Sequence, residues 1–413
     1  MNIRTQLVSY DPCPGDPFGA VATPIYQTAT FDQDSALEFG KFDYSRSGNP
    51  TRAVLETQIA RLEGGGRAFA FASGLAAIAA VTRLVNPGEE IVACDDLYGG
   101  TYRLLSKLLE PRGVIVKYAD LADPGAARGA IGPRTRLVHA ESLTNPLQRV
   151  CDVRALAAIA HERGALLSID ATALSPYLQR PLELGADFSI HSATKYLCGH
   201  SDVSAGTVAV RDAALAERLY LVQNGEGAGL GPFESYLLLR GMKTLALRVD
   251  AQQASAQKVA EFLRRHAAVR KVCFVGLEGH PGNPLHASQA RGPGAVVSFT
   301  TGSIERSRRI IETLKLFPIT VSFGGVGSSA SLPCRMSHAS IPDEVRKARA
   351  LPEDLVRLSI GIEAVDDLIA DLAAALDAAL DAALDARGDS VTGSARAKVE
   401  IETRSVAHEP ARV

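Results

Sequence analysis

Short, unbroken apolar runs recur along the middle of the chain, at residues 68–72, 90–94, 114–118, 136–140, 165–170 and 188–191, and amphipathic stretches with helical spacing separate them. That rhythm predicts alternating strands and helices, and so an α/β domain with a mainly parallel sheet. A longer helical stretch near residues 245–266 is expected to lead out of this domain. The apolar run at 294–300 then opens a smaller C-terminal α/β domain, which a strand at 356–360 closes. Beyond Ile362 the Ala-Ala-Leu-Asp repeats predict a helix by propensity and by the regular spacing of their leucines.

The ends read differently. Residues 1–55 are rich in Pro, Gly, Thr and Tyr and lack helical period, which predicts an extended N-terminal arm that contacts a neighbouring subunit. The expected organisation is that arm, a large domain over 56–250, a C-terminal domain over 251–387, and a disordered tail over 388–413, where charge is mixed and apolar residues are few.

Composition narrows the function classes. A chain of 413 residues that is 46% hydrophobic can bury a large core. A formal net charge of -2 provides no basic field to gather a polyanion, so nucleic acid is not an expected partner. No apolar run is long enough to cross a bilayer and the first residues lack a signal-peptide pattern, which predicts no membrane partner and a cytoplasmic location. Six scattered cysteines without a Cys-x-x-Cys pair suggest free, mostly buried thiols, with neither a metal site nor a disulfide framework.

Three segments carry candidate chemistry. His191-Ser192-Ala193-Thr194-Lys195-Tyr196 follows an apolar run and places a lysine beside two hydroxyls. A partly desolvated lysine forms Schiff bases and the hydroxyls can hold a phosphate, whereas a surface lysine would extend its stem and keep its amine in water. Ser168-Ile169-Asp170-Ala171-Thr172 ends a strand in a carboxylate, which can hold a pyridine nitrogen protonated or can serve as a turn residue. Phe71-Ala72-Ser73-Gly74-Leu75 passes from a strand into an Ala-rich helix, whose first backbone N–H groups suit a phosphate or simply a structural cap. No Gly-x-x-x-x-Gly-Lys segment and no dinucleotide fingerprint after a strand favours ATP or NAD.

These segments, with Tyr44-Ser45-Arg46-Ser47-Gly48-Asn49-Pro50-Thr51-Arg52, Leu97-Tyr98-Gly99-Gly100-Thr101-Tyr102-Arg103, Glu141 with Asn145-Pro146, Pro176-Tyr177-Leu178-Gln179-Arg180-Pro181 and Val356-Arg357-Leu358-Ser359-Ile360-Gly361-Ile362-Glu363, stand in one order. In that order the chain resembles the Cys/Met-metabolism family of pyridoxal-phosphate (PLP) enzymes, which includes cystathionine γ-synthase, cystathionine γ-lyase and methionine γ-lyase. The resemblance implies PLP as cofactor and an aspartate aminotransferase-like PLP fold-type I architecture. It also implies a homotetramer of two tight dimers with shared active sites. By resemblance Lys195 carries the cofactor and is the catalytic base, with Tyr98 stacking on the pyridine ring and assisting proton transfer. Asp170 pairs with the ring nitrogen, Asn145 lies near the ring hydroxyl, and Gly74, Leu75, Ser192 and Thr194 hold the phosphate, with Thr172 also at the cofactor. Tyr44 and Arg46 reach that phosphate from the neighbouring subunit, Arg357 clamps the substrate carboxylate, and Ser322 positions Lys195.

Other positions bear on the amino-acid substrate. Val321 stands where cystathionine enzymes carry a Glu, Gly100 where methionine γ-lyases carry a Cys, and Asp43 with Arg103 looks like the cystathionine group. The activity implied is γ-elimination, a carbon–sulfur lyase reaction of trans-sulfuration, on a homocysteine-type amino acid such as cystathionine or methionine. The alternatives are γ-replacement on an O-acylated homoserine, in primary or specialised biosynthesis, and a non-catalytic PLP-fold module.

Overall fold

In the computed structural model, residues 1–337, 339, 341–349 and 351–385 are described, so the expected tail over 388–413 lies outside them. A seven-stranded sheet forms from β1 (Arg67–Phe71), β2 (Glu90–Cys94), β3 (Ile115–Ala119), β4 (Thr135–Glu141), β5 (Leu166–Asp170), β6 (Phe188–His191) and β7 (Gly206–Val210). Its order is β1-β7-β6-β5-β4-β2-β3. The strands from β3 to β6 run parallel, while β7 lies antiparallel to both β1 and β6. Every residue of β2, β6 and β7 is buried, as strands covered by helices on both faces require. The sheet is therefore mixed and mostly parallel, and β7 is the strand that the apolar pattern did not single out.

Parallel strands deliver the candidate residues to one edge, because all their C-terminal ends point the same way. Glu141 and Asp170 are register partners at the ends of β4 and β5. Lys195 follows β6 by a few residues.

The second sheet comprises β8 (Lys271–Cys273), β9 (Val296–Thr300), β10 (Ser329–Ser331) and β11 (Val356–Ser359), in the order β10-β11-β9-β8, and is wholly antiparallel. Arg357 sits on β11. The helix Leu245–Arg265 passes from one sheet region to the other and runs unbroken through residues 250 and 251. The Ala-rich segment forms the helix Val365–Asp385, and Leu368, Leu372 and Leu376 at its helical spacing are fully buried.

At the N-terminus, α1 (Ile3–Val8) is a short helix that the Pro- and Gly-rich composition hid, anchored by buried Ile3 and Leu7. The motif at residues 48–52 starts α2 (Pro50–Glu63): Asn49 accepts the Thr51 N–H at 3.0 Å, and Pro50 occupies the first turn, where its missing N–H costs nothing. Arg52 is buried and donates to the Leu230 and Arg46 carbonyls at 3.2 and 3.0 Å, which ties the Tyr44–Arg46 loop to the large sheet's surroundings. All six cysteines are free, five of them buried, and no helix among the described residues is long and apolar enough to cross a membrane.

Candidate active site

A cavity of about 700 Å³ opens at the C-terminal ends of β4, β5 and β6 and is closed on its far side by β11 and the loop before β10. Lys195 Nζ lies in it and donates to Ser322 Oγ at 2.5 Å. Burial, with a smaller push from the Arg357 guanidinium, lowers the Lys195 pKa to about 8, although Asp170 opposes the shift. A buried amine that sheds its proton near neutrality is available as a nucleophile and as a base. The snorkelling reading of Lys195 therefore fails on geometry.

Ser322 is a non-glycine residue held at φ 87°, a left-handed conformation that costs on the order of 1 kcal/mol and concentrates at functional sites. Arg357 helps to hold it there by donating from Nη2 to the Ser322 carbonyl at 2.7 Å, and from Nη1 to Asn145 Oδ1 at 3.3 Å. Arg357 is only 3% exposed, its Nε has no partner among the described residues, and burial lowers its pKa to about 10. A buried guanidinium with unspent donors fits an incoming carboxylate in two-pronged geometry.

On the opposite wall, the Ser73 hydroxyl caps α3 (Gly74–Thr82) by accepting the Ala76 N–H at 3.1 Å. The N–H groups of Gly74 and Leu75 make no hydrogen bond among the described residues. A Cβ on Gly74 would come within 2.6 Å of the Ser192 Cβ, so glycine alone lets the helix start meet the Ser192 turn. Asp170 spends Oδ1 on Thr172, which donates from both its backbone N–H (3.0 Å) and its hydroxyl, while Oδ2 makes no hydrogen bond among the described residues. Thr172 Oγ1 in turn accepts the Ser192 N–H at 2.7 Å, so it couples the carboxylate to the hydroxyl-bearing turn. Thr194 is partly committed, since its hydroxyl bonds to the Ala205 backbone.

This donor set fits PLP: free N–H groups and hydroxyls suit its phosphate, a free carboxylate oxygen suits a pyridinium, and a low-pKa amine suits its aldehyde. Of the residues nominated from sequence, Gly74, Leu75, Tyr98, Arg103, Asn145, Asp170, Thr172, Ser192, Thr194, Lys195, Val321, Ser322 and Arg357 all line the one cavity. Asp43, Tyr44 and Arg46 do not; they are exposed on the N-terminal segment, with the Arg46 guanidinium over the Tyr44 ring at 5.5 Å. Sequence reasoning passed over Met336, Ser337 and Ala339, which lie on the loop after β10 and line the substrate side. No local motif marks them, because only the fold brings that loop over the sheet.

The depressed lysine predicts a measurable pH dependence. The rate at which the apoprotein captures PLP covalently should rise with pH and level off with a midpoint near 8, as neutral amine accumulates. In Arg357→Met the midpoint should move upward, because a neighbouring positive charge is gone. Stopped-flow absorbance across pH 6 to 11 (~0.5-unit steps) reads it, and a wild-type midpoint near the ordinary lysine value would refute the assignment.

The comparisons with known proteins agree with this fit. The model of the family described as Cys/Met metabolism PLP-dependent enzyme matches residues 4–377. The chain is 54% identical to the chloroplastic cystathionine beta-lyase of Arabidopsis thaliana, over 89% of this chain and 79% of that one. The crystal structure of cystathionine gamma-lyase from Lactobacillus plantarum complexed with L-serine superposes with a TM-score of 0.89 at 40% identity, covering 91% of this chain and 99% of that chain. Cystathionine gamma synthase from Xanthomonas oryzae pv. oryzae, solved in complex with cystathionine, gives 0.90 at 40% identity, with 92% and 99% covered.

Proposed function

The chain belongs to the Cys/Met metabolism PLP-dependent enzymes, and from that premise we propose that it is a carbon–sulfur lyase that cleaves cystathionine at the β-carbon, releasing homocysteine, pyruvate and ammonia. The observation that carries this reading is the low-pKa Lys195 amine facing the buried, incompletely paired Arg357 guanidinium across one cavity. PLP, when bound, draws electron density from the substrate α-carbon, which makes the proton there removable. The chain's own residues do the rest.

Arg357 receives the substrate carboxylate on its free donors and so fixes which bond at the α-carbon faces Lys195. The neutral Lys195 amine takes the α-proton and then holds it, with Ser322 Oγ keeping the ammonium within reach of the leaving sulfur. One base and one proton suffice for loss of a β-substituent. Tyr98 Oη is a second group that can deliver a proton to sulfur, since Tyr98 lines the same cavity as Lys195. Water completes the reaction: cystathionine and water give homocysteine, pyruvate and ammonia. Val321, at 60% exposure on the cavity rim with Phe323 and Met336 near it, offers the distal part of the substrate an apolar wall.

The γ-elimination expected from the sequence is the second reading, supported by the likeness to the Lactobacillus plantarum gamma-lyase. It asks Lys195 to remove a second proton, at the β-carbon, and with water yields cysteine, 2-oxobutyrate and ammonia. The 54% identity to the Arabidopsis beta-lyase favours the first direction. Purified enzyme given cystathionine should form pyruvate and homocysteine in at least tenfold excess over 2-oxobutyrate and cysteine, by mass spectrometry. The reverse ratio would establish the γ direction. A cystathionine product made from cysteine and an O-acylated homoserine would instead establish γ-replacement.

Tyr44, Arg46 and Asp43 enter this reading from a second copy of the chain, in a cytoplasmic homotetramer. Their exposure and their absence from the chain's own cavity support that placement.

A further inference from the structure

The elimination chemistry above makes no use of Glu141, yet the residue is only 5% exposed and lies beside Asp170 at the end of β4. Glu141 Oε1 accepts the backbone N–H of Tyr98 at 2.5 Å. Tyr98 lies in the loop after β2 and Glu141 at the end of β4. One side chain therefore ties that loop to the strand end beside Asp170. Burial, with Asp170 adding to it, pushes the Glu141 pKa well above the ordinary carboxylate range, so keeping an acid here has a cost that an apolar residue would avoid.

What this hydrogen bond holds is the Tyr98 side of the site. Tyr98 precedes α4 (Gly99–Arg103) with no side-chain capping bond of its own. Its ring is packed so tightly against the backbone at Gly100 that a Cβ there would lie 2.3 Å from Tyr98 Cε1. The ring direction is thus set by the backbone, and Glu141 holds that backbone. On the other side, Asn145 Oδ1 accepts from Arg357, Arg357 donates to the Ser322 carbonyl, and Ser322 Oγ receives Lys195. That series of hydrogen bonds runs from Asn145 to Lys195, and Glu141 anchors Tyr98 beside it.

We propose that Glu141 is a positioning residue, whose hydrogen bond to the Tyr98 backbone fixes the direction of the Tyr98 ring in the site. The assignment rests on the role given to Tyr98 above. It makes Glu141 act through other residues rather than on the substrate.

Glu141→Ala and Glu141→Gln, each made in the wild type and in Tyr98→Ala, test it with three readouts: the PLP dissociation constant of the apoprotein by equilibrium dialysis, kcat and KM on cystathionine, and the thermal midpoint. Glu141→Ala should raise the PLP dissociation constant about tenfold and lower kcat/KM roughly 100-fold, the scale of leaving a buried backbone donor without its acceptor. Glu141→Gln should recover most of both, since its amide oxygen still accepts. In the Tyr98→Ala background, Glu141→Ala should change the PLP dissociation constant less than about threefold, because the group it orients is gone. Full additivity of the two substitutions in that constant, or an unchanged constant and kcat/KM in Glu141→Ala, would overturn the proposal. An unchanged PLP constant in Tyr98→Ala alone removes the reading of Tyr98, and the proposal with it. Should Glu141→Ala fail to fold, Glu141→Asp, which withdraws the carboxyl by one methylene, carries the same comparisons.

Discussion

Lys195→Ala is expected to lower turnover of cystathionine by on the order of 10⁴-fold, with the PLP-specific visible absorption of the wild type lost. Two functions leave with one side chain: the amine that attaches the cofactor and the base that moves the α-proton. General acid–base catalysis alone accounts for roughly 10²–10⁴-fold, so the upper part of that range is the expected minimum. The rest of the pocket should survive, since Asp170, Thr172 and Ser192 bond to one another and not to Lys195. PLP should therefore still bind, reversibly and without reduction by borohydride onto the protein. Rapid removal by gel filtration, together with intact-mass spectra before and after borohydride, reads this. Turnover within tenfold of the wild type would end the assignment of Lys195.

Arg357 carries the second large effect, and it separates activity from stability. Arg357→Met should reduce kcat/KM by roughly 10²–10³-fold, mostly through KM, because a buried charge-assisted pair with the substrate carboxylate is lost. Arg357→Lys should recover little, since a single ammonium cannot match two-pronged geometry. Yet Arg357→Met should raise the thermal midpoint of the apoprotein. The guanidinium is 3% exposed, its Nε lacks a partner, and no carboxylate forms an ion pair with it among the described residues. Replacing such a charge by an apolar side chain of similar length is often stabilising by about 1–4 kcal/mol. Differential scanning calorimetry on apoprotein checks it. A lower midpoint in Arg357→Met would mean that Arg357 serves the fold as much as the substrate.

Much of the large domain was legible along the chain. The apolar runs at residues 90–94 and 188–191 coincide with β2 and β6, and the others fall within a residue or so of their strands. Buried parallel strands announce themselves in this way because both faces must be apolar. What escaped was antiparallel or brief: β7, although fully buried, and the three-residue strands β8 and β10. Short strands take their identity from their neighbours in the sheet, and a three-residue window holds too little pattern to show it. The helix α1 escaped for the opposite reason, since a single buried turn in a Pro- and Gly-rich region has no period to read.

The sequence by itself determined the chemistry: a lysine among hydroxyls after a buried strand, a carboxylate ending the strand beside it, and a Ser-Gly helix start. Each of these is local, because strand ends and helix caps are specified by residues next to one another. Only the tertiary structure decided that these local pieces share one cavity with Arg357, more than 150 residues further along, and that Ser322 is bent to φ 87° between Arg357 and Lys195. It also placed the Glu141 carboxyl under the Tyr98 backbone N–H. Burial, not residue type, lowers the Lys195 pKa, and burial is a property of everything packed around a side chain.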